Sequence, residues 1–489
     1  NSMAKSIAAN SIYNFLLKFF RLIMPVLVSS YVIRTLDEQL YAEYLSASTW
    51  LDFALIFGVF GVTAYGIREA ARVRDDREKS RRLFSSLFSI NLVTNSVVLV
   101  AYIAIVLFSM ESMTRAIYLT LGFKVFANIF LVEWLNEAME NYRFITIKTI
   151  VVRLIYMVLI FLFIHKPDDV VKYCVIIVAT DFLNNILSFI YINKRIPLSF
   201  RGLEIGRHIL PLISMLVISN VNMLYTQLDM MALDRTGSSL ALADYRIPRD
   251  ITNMIANLLS SVVMVAVPRL SYYRGNDQHE EYHKLLHQGY RSFMLVVFPA
   301  CMGFACLARE VIELYTNSSV YNGAIPVLIL FAVRTVETSV YTVCANQIFY
   351  VYNQERVLVR LLLSCGLLNV VFKVLLIAGG IFTPVTAVAT TILSEIVLMV
   401  LLFWFTQKRL GIDFHFFTRE NLLYLLLSLT FIPITLAVHV LDLGAVLNAV
   451  IIIPVCMAVY FGALLLLKDE TMWFLTRKAL RMFFGRFMH

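Results

Sequence analysis

The feature that most constrains this chain is a series of about fourteen apolar stretches, each long enough to cross a bilayer, with little polar sequence between them. A helix of about 20 predominantly apolar residues spans the roughly 30 Å hydrocarbon core of a membrane. The sequence therefore predicts an all-α polytopic membrane protein. The predicted spans lie at about 10–34, 40–67, 83–108, 114–139, 145–165, 170–193, 209–233, 240–267, 286–308, 323–351, 358–380, 384–406, 420–441 and 445–467.

Composition and charge agree with this class. Hydrophobic residues make up 60% of the 489 positions and charged residues 15%, and the mean hydropathy of +0.76 is typical of membrane proteins. Most of the 42 lysines and arginines fall on one side of the predicted spans, so the positive-inside rule predicts that both termini are cytoplasmic. The net charge of +9 reflects this bias. No nucleic-acid partner is expected, because the basic residues lie in short loops without a nucleic-acid motif.

The first twelve spans divide into two halves that resemble each other. A shift of about 201 residues aligns the following pairs: Arg34-Thr35 with Arg235-Thr236, Ala42-Glu43-Tyr44 with Ala243-Asp244-Tyr245, and Arg68 with Arg269. A duplicated six-helix bundle is the layout of a transporter, because two half-bundles can rock around a site between them. We expect two lobes, at 1–200 and 201–410, related by a pseudo-two-fold axis. Two extra helices follow at 411–467, and a cytoplasmic amphipathic tail at 468–489.

The sequence contains no recognisable catalytic or metal-binding motif. The chain has no Walker A loop and no sizeable soluble segment, so we expect a protein that is not an enzyme and uses no cofactor. The six cysteines lack metal-ligand or disulfide spacing and are expected to pack as small apolar residues. His279, His283 and His287 have an i, i+4, i+8 spacing that could bind a metal, but a solvated amphipathic linker before span nine is the favoured interpretation.

Charged residues inside the spans are the candidates for function, because charges are costly in lipid and usually face a cavity or a partner. Lys18 and Arg21 lie on one face of span one, and Arg246 and Arg249 lie three residues apart in span eight. We predict that these four residues, together with Arg334, bind the substrate in a central cavity between the lobes. A cationic cavity implies an anionic substrate, and guanidinium groups fit phosphate oxygens.

Arg334 and two further intramembrane cations have alternative interpretations. Arg334 is spaced to pair with Glu337 along one helix, so a structural salt bridge and a substrate contact are equally open for it. Lys124 and Lys373 could extend toward the membrane surface, with their aliphatic stems along the apolar region.

Four motifs, spread along the chain in order, resemble those of a known family. They are Tyr65-Gly66-Ile67-Arg68-Glu69-Ala70-Ala71-Arg72, Trp134-Leu135-Asn136-Glu137-Ala138-Met139-Glu140-Asn141-Tyr142-Arg143, Leu228-Asp229 with Gly237 to Tyr245, and Val267-Pro268-Arg269-Leu270-Ser271. Together they resemble the Wzx-type polysaccharide flippases of the multidrug/oligosaccharidyl-lipid/polysaccharide exporter superfamily. The resemblance implies two six-helix lobes that form a V, with helices one, two, seven and eight lining the cavity.

Two positions depart from the pattern of these relatives. Leu36-Asp37-Glu38 stands where many relatives have Leu-Gly, so this turn carries more charge. The first-helix arginine pattern of lipid II flippases is only partly present, in Lys18 and Arg21, and this difference counts against lipid II as the substrate.

The same resemblance places Asp52 and Asp229 in two helices along the cavity. An unpaired carboxylate in that setting would be costly. Each of these acids should therefore pair with a cationic residue or bind a coupling ion, Na⁺ or H⁺, and the permanent salt bridge is the favoured alternative.

These observations predict a flippase in the bacterial plasma membrane. It would move an undecaprenyl-pyrophosphate-linked glycan, either a capsule repeat unit or a teichoic-acid precursor, from the cytoplasmic to the outer leaflet by alternating access. Three alternatives remain open: a lipid II flippase, a multidrug antiporter of the same superfamily, and a non-transporting membrane scaffold for glycan assembly. The expected partners are the lipid-linked glycan and membrane lipids, and a monomer is the simplest expectation for the oligomeric state.

Overall fold

The computed structural model of this chain describes residues 24–73, 75–109, 112–415, 418–441, 443–473 and 476–477. Across these residues the secondary structure is helical and contains no β-strand. The predicted all-α class is therefore confirmed. The chain divides into two compact units, here called unit 1 (1–242) and unit 2 (243–489).

Unit 1 begins, in the described residues, with a helix at 24–35 (α1). Its other α-helices are α2 (Glu38–Val59), α3 (Val62–Val73), α4 (Arg77–Ser109), α5 (Ser112–Asn128), α6 (Glu133–Ala138), α7 (Tyr142–Phe163), α8 (Val170–Arg195), α9 (Ile205–Ser219) and α10 (Gln227–Thr236). A short 3₁₀ turn, Val221–Leu224, separates α9 from α10. The boundary between the units falls inside the next helix, α11 (Ser239–Gly275).

Unit 2 contains the remaining helices. They are α12 (His279–Cys306), α13 (Ala308–Thr316), α14 (Ala324–Val343), α15 (Glu355–Ala378), α16 (Pro384–Leu410), α17 (Arg419–Leu429), α18 (Phe431–His439) and α19 (Ala445–Leu466). A 3₁₀ turn, Ser319–Gly323, precedes α14, and a π-helical turn, Cys344–Phe349, follows it. Helix α12 packs against α14 and α17, while α16 packs against both α14 and α15.

Twelve helical segments within the described residues are long and apolar enough to cross a membrane. A thirteenth span is formed if α9 and the segment Val221–Thr236, which meet at a bend of 43°, are counted as one. The chain is thus a multi-pass membrane protein. The first predicted span, 10–34, is described only from residue 24 onward, and the predicted tail at 468–489 is described only at 468–473 and 476–477. The predicted lobe limits at 200 and 410 stay predictions.

The boundaries of α2 follow from the chemistry of its two ends. Asp37 precedes the helix, and its carboxylate accepts hydrogen bonds from the backbone N–H of Gln39 (3.0 Å) and Leu40 (3.1 Å). The acidic turn that departs from the relatives is therefore a helix N-cap. At the other end, Phe60 and Gly61 have φ of 49° and 74°. A side chain at Gly61 would approach backbone atoms of α9 to 2.8 Å, so only glycine fits this break.

Trp134 organises the apolar core of unit 1. It is 1% exposed and belongs to a cluster contributed by α3, α4, α6, α8 and α9. A Cβ at Gly66 would lie 2.5 Å from its indole ring. The absence of a side chain at Gly66 therefore makes room for Trp134, and the two residues come from two different motifs of the sequence analysis. Tyr65 fixes the same region, since its hydroxyl lies 2.8 Å from Nδ1 of His208 on α9.

Buried asparagines satisfy the backbone where the spans of unit 1 break. The amide of Asn95 donates to the carbonyl of Gly58, near the end of α2, at 2.9 Å. Asn91 donates to the carbonyls of Asn128 and Ile129, at the end of α5. Because lipid offers no hydrogen bonds, a broken span requires such partners from within the protein.

The lysines inside the spans also find protein partners. Lys124 forms a 3.0 Å ion pair with Asp181 of α8. Lys373 is 5% exposed and donates hydrogen bonds to the carbonyl of Ala387 and to the hydroxyls of Thr390 (2.8 Å) and Thr391 (3.0 Å). The interpretation in which Lys373 extends to the membrane surface is therefore wrong. Its ammonium group is satisfied by the first turns of α16.

Candidate functional site

Helix α11 presents two arginines and one carboxylate in unit 2. Arg249 Nη1 lies 3.2 Å from Asp250 Oδ1, and Arg246 Nε lies 3.6 Å from Asp250 Oδ2. The two guanidinium groups are mostly buried, with 11% and 23% of their side chains exposed. One carboxylate thus contacts two cations, and the three side chains together carry a net charge of +1.

Two residues just before this group pack against α14. Tyr245 is fully buried and meets the ring of Phe331 edge-on, with the centroids 5.2 Å apart. Asp244 accepts the backbone N–H of Ala324 at the start of α14. Both contacts hold the start of α11 against α14.

Arg334 is placed differently from the other predicted binding residues. Its Nε and Nη2 bind both oxygens of Glu395 on α16, at 2.9 and 2.6 Å. This forked pair corrects the predicted partner, since Arg334 pairs with Glu395 across two helices and not with Glu337 along its own. A bidentate pair between two mostly buried groups is a structural tie between α14 and α16.

The other predicted site residues are in unit 1 or outside the described residues. Lys18 and Arg21 lie outside the described residues. Asp52 lies half-buried on α2, and Asp229 is fully buried in the first turn of α10. The start of α10 is held against α2 by Gln227, whose amide donates to the carbonyl of Thr49 at 2.9 Å. The two acids therefore belong to neighbouring helices.

A polar face of α2 was missed by the sequence analysis. Gln39, Glu43, Ser46 and Trp50 recur at i, i+4, i+7 and i+11 and so share one side of the helix. Gln39 donates to Ser239 at 3.0 Å, and Ser46 lies 2.7 Å from the hydroxyl of Tyr118. Polar residues at this period within an apolar span are the signal that would have identified the face.

Trp50 connects this face to the end of α10. Its indole N–H donates to Asp234 Oδ2 at 2.7 Å, and the guanidinium carbon of Arg235 lies 4.8 Å from the ring centroid. The same ring borders a cavity of about 400 Å³ that also contains Phe53, Phe57, Tyr102 and Tyr118. Unit 1 therefore has an aromatic cavity with a cation and a carboxylate at one edge.

The histidines of the predicted linker lie in a helix. His279 begins α12, and the rings of His283 and His287 lie 6.4 Å apart on its next turns. The expected loop is thus the first part of a membrane-spanning helix that starts about two turns earlier than its apolar segment. Among the described residues, no group of three His, Cys, Asp or Glu side chains is arranged to hold a metal ion.

Comparison with known proteins adds evidence from outside the chain. A model of the polysaccharide biosynthesis protein family matches residues 7–274, more than half of the chain. A candidate O-antigen transporter of Escherichia coli strain K12 is 19% identical over 402 residues, which cover 80% of this chain and 95% of that protein.

Two solved structures share the fold. The lipid II flippase MurJ, in an inward closed conformation, is 13% identical, and the match covers 93% of this chain and 100% of that one with a TM-score of 0.70. A multidrug resistance MATE family transporter of the MOP superfamily, in an outward-facing conformation, is 14% identical. That match covers 81% of this chain and 93% of the other, with a TM-score of 0.52.

Proposed function

Because the chain belongs to the polysaccharide biosynthesis protein family, we propose that it is a flippase that moves a lipid-linked glycan across the membrane. The cargo would be an undecaprenyl-pyrophosphate-linked glycan, taken from the cytoplasmic to the outer leaflet of the bacterial plasma membrane by alternating access. A capsule repeat unit and a teichoic-acid precursor are the two cargoes that we propose. Transport and not catalysis would be the role of the chain.

The observation that carries this proposal is the pair Arg246 and Arg249. Two mostly buried guanidinium groups lie beside the carboxylate of Asp250 within one membrane-spanning helix, and these three side chains together carry a net charge of +1. Charges in such helices are rare and usually serve transport. A pyrophosphate is the substrate group that matches, because its oxygens accept forked hydrogen bonds from arginine.

The experiment measures translocation of a lipid-linked glycan in proteoliposomes. Arg246→Gln and Arg249→Gln should each reduce transport about 10- to 100-fold, because a hydrogen bond to a charged group contributes about 1.5–3 kcal/mol. Arg21→Gln and Lys18→Gln extend the test to span one. Arg207→Gln is the matched control, since this exposed residue pairs with Glu204 at 3.0 Å and should transport normally.

Normal transport by Arg246→Gln and Arg249→Gln would contradict the assignment of these residues to the pyrophosphate.

Arg334→Gln tests a structural role, because the guanidinium group of Arg334 already binds Glu395 within the protein. We expect Arg334→Gln to yield less folded protein, and total transport should fall in proportion to the amount of folded protein. A folded Arg334→Gln protein with selectively lost transport would instead return Arg334 to the substrate site.

We also propose Asp52 and Asp229 as candidates for ion coupling, on neighbouring helices of unit 1. The measurement is transport under an imposed Na⁺ or H⁺ gradient, with Asp52→Asn and Asp229→Asn as variants. The coupling acid should lose gradient dependence and keep substrate binding. Equal rates with and without both gradients in the unmodified protein would leave both acids as structural residues.

The proposed orientation places both termini in the cytoplasm. Fusion of a folding reporter that fluoresces only in the cytoplasm to the C-terminus should give signal, whereas a periplasmic phosphatase reporter should not. The reverse pattern would overturn the orientation and, with it, the direction of transport.

A further inference from the structure

A second cavity lies in unit 2, apart from the arginines of α11. It has a volume of about 600 Å³ and lies among α12, α14, α17 and α18. Its lining is almost entirely apolar, with side chains such as Phe298, Met302, Ile329, Val333 and Leu436. A predominantly hydrophobic cavity of this size with a few polar groups is typical of sites for drug-sized organic molecules.

Glu337 is the acidic residue in this lining. Its Oε2 atom is buried and has no hydrogen-bond partner, and in the part of the chain that the structure describes it forms no ion pair. A carboxylate withdrawn from water without a partner is costly. A positively charged group bound in the cavity would complement the ionised carboxylate of Glu337.

The neighbouring charged groups do not supply that component. Arg334 lies one turn away on α14, and its fork binds Glu395. His439, at the edge of the cavity, directs Nε2 to Glu310 Oε1 at 2.5 Å. The Arg334–Glu395 pair is neutral as a whole, and Glu310 offsets any charge on His439. When Glu337 is ionised, the cavity therefore has a net negative charge.

We propose that this cavity binds a lipophilic organic monocation, a compact apolar body that carries one positive charge. The apolar lining would contact the body of the ligand, and Glu337 would contact its charge. A phosphate-bearing lipid is disfavoured, because its charge has the same sign as the ionised carboxylate of Glu337. The site is independent of the glycan proposal, since it uses none of the residues assigned to the pyrophosphate.

The test uses two probes of the same shape and opposite charge, tetraphenylphosphonium and tetraphenylborate. Equilibrium dialysis against the full chain in nanodiscs measures binding of each, after subtraction of binding to empty nanodiscs. The unmodified protein should bind the cation at least 10-fold more tightly than the anion. Glu337→Gln keeps the size of the side chain and should weaken cation binding at least 10-fold.

Two further variants separate charge from space. Val333→Trp would fill the cavity from a side chain that is 48% exposed and should weaken cation binding with Glu337 intact. Glu313→Gln removes an equivalent charge from an exposed position on α13 and should bind as the unmodified protein does. Equal binding of the two probes, or unchanged cation binding by Glu337→Gln, would overturn the proposal.

Discussion

Glu133 in unit 1 and Glu337 in unit 2 are both glutamates in membrane-spanning segments, yet their surroundings differ. Both oxygens of Glu133 lie 2.9 Å from the ammonium of Lys148, and Ser188 donates a hydrogen bond to one of them. Glu337 faces an apolar cavity and has no such partners. The carboxylate of Glu133 therefore ties helices together, whereas the carboxylate of Glu337 is the contact that we propose for a bound cation.

The difference arises from which helices surround each residue. Glu133 begins α6, and its partners Lys148 and Ser188 come from α7 and α8. In unit 2 the cation nearest in sequence to Glu337 is Arg334, which binds α16 instead. The same residue type thus forms an ion pair at one of these two positions and not at the other, because the neighbouring helices offer different partners.

The largest expected effect is loss of the partnered carboxylate. Glu133→Gln leaves Lys148, whose side chain is 3% exposed, without a countercharge. Breaking one side of a buried ion pair costs about 3–5 kcal/mol. We expect the variant to lower the unfolding free energy by that amount, measured by denaturant unfolding in detergent.

A double variant checks the cause of this loss. Glu133→Gln with Lys148→Met removes both charges and should be more stable than Glu133→Gln alone, because no uncompensated ammonium remains. If the double variant loses as much stability as the two single variants combined, the residues act independently and the comparison with Glu337 fails.

An intermediate effect is expected at Asp169, where a carboxylate at the end of a span has local partners. The Lys172 ammonium, at 2.7 Å, and the backbone N–H groups of His165 and Lys166 hold the pKa of Asp169 well below its usual range. Asp169→Asn should therefore cost about 1–3 kcal/mol at neutral pH, the contribution of hydrogen bonds to a charged group.

The pH dependence of Asp169 has a defined sign. A depressed folded-state pKa stabilises the protein above the unfolded value of about 4, and that contribution is lost as the pH falls toward the folded value. The difference in stability between the unmodified protein and Asp169→Asn should be constant from pH 7 to about 5 and should shrink below about 4. A difference that grows on acidification would contradict the assigned hydrogen bonds.

The smallest effect on stability is expected at Glu337. Glu337→Gln breaks no pair, so it should lower the unfolding free energy by no more than about 0.5 kcal/mol, as for substitutions outside specific interactions. The same denaturant measurement applies. A loss comparable to that of Glu133→Gln would reveal a partner for Glu337 in the folded protein and would remove the contrast between the two units.

Much of the architecture was predictable from local sequence. The apolar stretches predicted the all-α class and most span positions, which the structure confirms, and the family match confirms the resemblance indicated by the motifs. The breaks within the membrane-spanning segments were harder to predict from the sequence. The end of α2 at Phe60-Gly61 depends on the close approach of α9, a contact that hydropathy along the chain does not contain.

The candidate site was predictable in part for the same reason. The three-residue spacing of Arg246 and Arg249 was sufficient to place them on one side of α11, since helical geometry is local. The partner of Arg334 was predicted incorrectly, because Glu395 lies 61 residues away. The roles of Asp52 and Asp229 stay predictions.

The sequence by itself determined the elements and the class of this protein, because hydrophobic length, helix caps and residue spacing act over a few neighbouring residues. Only the tertiary structure decided which buried charges are neutralised. Glu133 and Glu337 are the same residue in similar apolar segments, and only the packing of α7 and α8 around the first gives it a lysine. Pairing of buried charges depends on distances of a few ångströms between helices, and those distances are set by packing.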